Sequence, residues 1–267
     1  MLVCILLIIR KNITNVNKMK KLLLEDNDYI NSSMKCYIAK SNLIYHKKYK
    51  NFTIWGYSMV NDKSIFIECG KRISKLYNDL KKDFNKKVKF LNIVLISCPD
   101  IRKFIDHYYY VNGGLTYLLD NILYVYRVKE MCKVVLHEVI HHAFYFKDND
   151  VFLGDPIRDK VTIDFNEALV EFLATIYHLK YCKKSLQIEL KHSLKNVKCV
   201  INMPNMTFNT KIYSYIVIKH LLLKKSKFIL QCIKNGKYDL IYQYIHKNKI
   251  NKINKYQPMK ELFFVSQ

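Results

Sequence analysis

The chain has 267 residues, half of them hydrophobic, with only six glycines and four prolines. That length and apolar content suffice for a full core and exclude a disordered or collagen-like chain. The formal charge of +23 raises nucleic acid or an anionic surface as a partner, but the lysines lie scattered in pairs along the whole chain and no nucleic-acid-binding motif accompanies them. The charge therefore reads as compositional, and no specific nucleic-acid partner is expected.

In chain order, the apolar run Leu2 to Ile9 comes first. It is too short for a bilayer, which takes roughly 20 residues, and no basic segment precedes it, so it reads as a buried first strand. No other stretch is expected to cross a membrane: "YSYIVIKHLLLKK" (213–225) is apolar but broken by Lys219 and His220. Residues 11–50 are polar and give no clear pattern. "FTIWGYSM" (52–59) and "KSIFIEC" (63–69) read as β segments, rich in aromatic and β-branched residues. "KRISKLYNDLKKDF" (71–84) has Ile73, Leu76, Tyr77 and Leu80 at helical spacing. "VKFLNIVLIS" (88–97) is a continuous apolar run, as in a central buried strand. A short helix is expected near "IRKFIDHYYY" (101–110), after Pro99.

In "VNGGLTYLLDNILYVYR" (111–127), Gly113 and Gly114 open a strand, Asp120-Asn121 signals a turn, and "ILYVYR" is a second strand. Residues from Glu130 to about Phe146 read as a buried helix, apolar on most sides and interrupted by His137, Glu138 and His141. A loop follows, absorbed at 147–160. "FNEALVEFLATIYHLKYCKK" (165–184) begins a second strong helix, and 211–248 reads as two or three helical pieces with a break at Asn235-Gly236. The fold class is α+β: an N-terminal segment at 1–50, a mixed β/α part at 51–146, and a mostly helical subdomain at 147–267.

The eight cysteines form no C-x-x-C pair, and several lie in apolar runs. Free thiols in a reducing, cytoplasmic compartment explain them better than a disulfide framework, with secretion as the alternative. Lys, Asn, Ile and Tyr are all frequent and all have AT-rich codons, as in an AT-rich genome such as that of a large DNA virus.

The chemistry concentrates at His137-Glu138-x-x-His141. Residues four apart on a helix point almost the same way, so the two imidazoles can converge on one cation. Glu138 lies about 100° further round and flanks that cation without binding it, the place for a base acting on a metal-activated water. Imidazole and carboxylate groups on an otherwise apolar helix are costly unless paired or ligated. A third histidine placed as in the metzincins needs Gly at position 144 and His at 147; the chain has Phe144 and Lys147. A glutamate on the later helix is the other option. Glu167 supplies it, and Glu171, one turn on, is placed to accept a hydrogen bond from a zinc-bound histidine. His142 points away from His141 and reads as a packing or surface residue.

His137-Glu138-x-x-His141 followed by Asn166-Glu167-Ala168-Leu169-Val170-Glu171 resembles the gluzincin clan of zinc metallopeptidases. The likeness is to its peptidase-MA-like and aminopeptidase-type members, and the order of elements over 52–146 is similar too. Ala168 stands where that pattern usually has Gly, and Phe165 where Trp is common. The resemblance implies a zincin-like fold and a zinc ion bound by His137, His141 and Glu167, with Glu138 as general base. It further implies an oxyanion donor in the following helical region, for which Tyr213 is the first choice and Tyr215 the second. A peptide or protein substrate would lie along an edge strand at Gly113, Gly114, Leu115 and Thr116. Aminopeptidases carry a Glu on that strand; "GGLTYLL" has none, which favours an endopeptidase. The alternative is a zincin-like module that binds peptide without cleaving it.

Overall fold

The computed structural model describes residues 20, 21, 24, 30–100, 113–144, 151–152, 162–163, 165–201 and 214–248. The elements in these segments are α1 (Ser32–Lys40), β1 (Asn42–Lys48), β2 (Phe52–Ser58), α2 (Ser64–Phe84), β3 (Leu91–Ile96), β4 (Gly114–Tyr117), β5 (Ile122–Val125) and α3 (Met131–Ala143). They continue with β6 (Val151–Phe152), β7 (Thr162–Ile163), α4 (Phe165–Cys182), α5 (Leu186–Ile201), a π-helical turn at Ser214–Ile218, α6 (Lys219–Lys224), α7 (Ser226–Lys234) and α8 (Tyr238–Lys247). The class is mixed α and β, as expected. The expected first strand at Leu2–Ile9 and the expected helix at 101–110 lie outside the described residues. No helix among the described residues is long and apolar enough to cross a membrane.

The chain divides into two compact units. The first contains a five-stranded sheet of order β1-β2-β3-β5-β4, in which β2, β3 and β5 are parallel and the two edge strands run antiparallel to their neighbours. The central strands are buried almost throughout: Ile54, Ile93, Val94, Leu95, Leu123 and Val125 expose no surface. Strands covered on both faces read as continuous apolar runs, which is why β3 is legible in the sequence. Alternation of side chains assigns the layers. Val94, Ile96 and Tyr124 pack with Met34 and Ile38 of α1. The opposite face carries the row Gly56, Leu95, Val125 and Gly114, one residue from each of four strands. A Cβ at Gly56 would fall 2.8 Å from the Phe66 ring of α2, and one at Gly114 would fall 2.9 Å from Val134 Cγ1 of α3. Glycine at both ends of this row lets the two helices settle close to the sheet.

The segment "KSIFIEC" corrects the sequence reading: it is the start of the 21-residue helix α2, not a strand. Phe66, Cys69, Ile73, Leu76, Tyr77 and Leu80 are buried, whereas Ile67 is exposed. That three-to-four spacing is helical, and the Asp62 carboxylate accepts a hydrogen bond from the Ser64 amide at the helix start (2.8 Å). Two elements arise from the uninformative stretch before residue 50. The helix α1 is capped by Asn31, whose side chain accepts from the Met34 amide. The strand β1 is mostly exposed and is held by its ladder to β2.

The second unit spans 75–87 and 143–267. Its helices α4 and α5 pack with the segment at 214–224. The C-terminal half of α2 joins them through Asp79, which accepts from Tyr181 (2.7 Å) and Lys180 (2.8 Å), and through Asp83, which accepts from Tyr177 (3.0 Å). The expected break at Asn235-Gly236 is present: Gly236 adopts φ +67°, the left-handed region open to glycine. This half is not purely helical, since Val151–Phe152 and Thr162–Ile163 pair as a short antiparallel ribbon.

Candidate metal centre

Helix α3 begins after a 3-10 turn at Val128–Glu130. The seven successive side chains from Val134 to Ile140 are all buried, His137 at 5 % and Glu138 at 7 % exposure among them. Polar groups so placed are unfavourable unless they are bonded or ligated. His137 and His141 turn the same nitrogen toward each other, Nε2 to Nε2 at 3.1 Å, with ring centroids 4.8 Å apart. Two donors held at about 2.0–2.1 Å from a tetrahedral zinc ion are about 3.3 Å apart, so the imidazole pair already stands near the spacing a shared ion needs.

Glu138 lies beneath the edge strand β4. An added Cβ on Gly114 would meet its Oε1 at 2.7 Å and its Cγ at 3.0 Å. No side chain larger than hydrogen fits there without displacing that carboxylate. The strand then alternates: Thr116 points to the same helix as Gly114, and its hydroxyl is 2.7 Å from His142 Nε2. Burial, then the neighbouring His141 and Lys89, lower the His142 imidazole to about 4. It is therefore neutral at pH 7 and joins α3 to β4 by a hydrogen bond between uncharged groups. The surface role considered for His142 gives way to this one, which the sequence spacing did not signal. Of the expected edge-strand residues, Gly113 lies just before β4 and its carbonyl accepts from the Tyr126 amide (3.1 Å), while Gly114, Leu115 and Thr116 are half-buried in the strand.

Glu167 sits in the first turn of α4 and is half-buried. One ligand atom each from His137, His141 and Glu167 lies within 4.8 Å of the others. Two imidazole nitrogens and one carboxylate oxygen are a donor set of open zinc sites, which keep the fourth position for water or substrate. Glu171, 1 % exposed, has its Oε1 3.9 Å from Lys219 Nζ. Lys219 also donates to Glu189 Oε1 at 3.4 Å, and all three side chains are buried. Glu171 thus draws on a buried ammonium that the sequence reading did not connect with it. The signal was Lys219 interrupting the apolar run at 213–225. His178 is buried with the Cys182 sulfur 3.5 Å from its Nε2. Tyr213 lies outside the described residues, as does the side chain of Tyr215.

The sequence matches no family model and no curated protein.

Proposed function

We propose that this chain is a zinc-dependent metallopeptidase of gluzincin type on a zincin-like fold, acting on peptide or protein substrates as an endopeptidase. The observation that carries this reading is the grouping of His137, His141 and Glu167 ligand atoms within 4.8 Å, with Glu138 beside two of them on α3. Zinc, when bound there, supplies Lewis-acid polarisation of a water and of the scissile carbonyl.

The chain's own residues do the rest. His137 and His141 present Nε2, and Glu167 contributes its carboxylate. Glu138 accepts the proton of the attacking water and returns it to the leaving amine. Its burial beneath Gly114 keeps that exchange away from bulk solvent. The substrate lies antiparallel along β4, an edge strand, and adds its backbone hydrogen bonds to the sheet. Nothing acidic stands on Gly114–Tyr117 to anchor a free α-amine, so internal bonds are the targets. Tyr213 is the proposed oxyanion donor, and a reducing cytoplasm the proposed compartment, in keeping with the free thiols.

The test is cleavage of an unstructured protein by the wild type and by Glu138→Gln. Loss of a general base lowers the rate by about 10²–10⁴-fold, with zinc content unchanged. A zinc-loaded wild type that cleaves nothing leaves the peptide-binding module as the correct reading. Equal cleavage by Glu138→Gln removes Glu138 from the chemistry.

A further inference from the structure

Two thiols meet between α2 and α3. Cys69 of α2 and Cys132, in the first turn of α3, hold their Sγ atoms 3.5 Å apart, and both are free. A disulfide bond is about 2.05 Å long, so closure asks for an approach of about 1.5 Å between two helical side chains. The two sulfurs are not equivalent. Cys69 exposes no surface, whereas Cys132 is half-buried and can meet a small reagent. Their electrostatics divide in the same sense. The hydrogen bond from Cys69 lowers the Cys132 thiol from its ordinary value, with Arg72 acting in the same direction. Burial raises the Cys69 thiol well above its own. Of the two, Cys132 is the more accessible and the more readily ionised, and Cys69 the less.

We propose that Cys132 and Cys69 are a redox modification site at which a hydroperoxide drives formation of an intrachain disulfide. The Cys132 sulfur attacks the outer peroxide oxygen; the O–O bond breaks, and the departing oxygen leaves as water or alcohol after taking up the thiol proton. Cys132 is then a sulfenic acid. The Cys69 sulfur attacks the Cys132 sulfur, the S–O bond breaks, and hydroxide leaves as water with the Cys69 proton. Both thiols are oxidised by two electrons in all, and the peroxide is reduced. Cys69, shielded from solvent, is reached only through the Cys132 sulfur. The bond ties α2 to the helix that carries His137 and Glu138, starting five positions before His137. The site stands whether or not that helix holds zinc.

The test uses the full chain, reduced, freed of reductant and exposed to hydrogen peroxide, then mapped as peptides without reduction. The expected product is a Cys69–Cys132 crosslinked peptide, two hydrogens lighter than its parts and split by dithiothreitol. Cys132→Ser abolishes it and leaves Cys69 as thiol. Cys69→Ala also abolishes it, and a dimedone adduct accumulates at Cys132. If Cys69→Ala does not fold, the wild-type map decides alone. Oxidation of exposed Cys36 with Cys132 unchanged overturns the proposal, as does a Cys132 crosslink to any other cysteine.

Discussion

The two edges of the sheet are built on opposite rules. At one edge β1 reads Asn-Leu-Ile-Tyr-His-Lys-Lys, with Lys47 and Lys48 exposed, a register shift between Leu43 and Tyr45, and His46 stacked on Trp55 at 3.9 Å. Charge and irregularity on an edge strand discourage pairing with another chain. At the other edge β4 reads Gly-Leu-Thr-Tyr, carries no charge, and is regular in its pairing with β5. Behind β4 lies a buried carboxylate, and the turn beyond it exposes Leu118 and Leu119. On the proposed function, the uncharged edge beside Glu138 and the paired imidazoles is the one a substrate strand would join, and the lysine-bearing edge the one kept closed.

The sharpest way to break this contrast is Gly114→Val. The new side chain occupies the space of the Glu138 carboxylate and Val134. Stability falls by about 1–3 kcal/mol, as overpacking does, and cleavage falls about as far as in Glu138→Gln. Chemical denaturation and a peptide assay read the two effects separately. Tyr117→Lys gives β4 a guard like that of β1. It raises KM about ten-fold, equivalent to about 1.4 kcal/mol of substrate binding, and leaves the folding midpoint nearly in place. The reciprocal change, Lys47→Val with Lys48→Val, uncovers β1: self-association rises in sedimentation while cleavage per chain is unchanged. The smallest effect is that of Thr116→Val, which removes the 2.7 Å contact to His142 and costs about 1 kcal/mol of stability by denaturant midpoint.

The same contrast explains what the sequence made legible. Strand β3 announces itself as a nearly continuous apolar run, and helix α3 because it is apolar on most sides with its few polar residues at the candidate site. The β4–β5 hairpin is marked by glycine at its start and by Asn121, which takes φ 53° in the turn. Strand β1 is invisible because an exposed edge has no apolar face to alternate; its place is set by backbone pairing with β2 and by cross-element contacts such as His46 on Trp55. "KSIFIEC" misleads because three β-branched or aromatic residues stand in a row; the spacing that decides, Phe66, Cys69 and Ile73, extends past the segment into the rest of α2. At the site, the His137, Glu138 and His141 arrangement is local and follows from helical geometry. The approach of Gly114 to Glu138, the Thr116–His142 bond and the Lys219–Glu171 pair are tertiary, joining elements whose meeting no spacing encodes.

The central claim is tested most directly by metal analysis of the purified chain, repeated on Glu167→Ala. The account predicts one zinc per wild-type chain, and in the variant a loss of zinc during dialysis against a mild chelator, with the fold retained by circular dichroism. A wild-type chain that neither carries zinc nor takes it up on titration, or a Glu167→Ala chain that holds it equally well, contradicts the account.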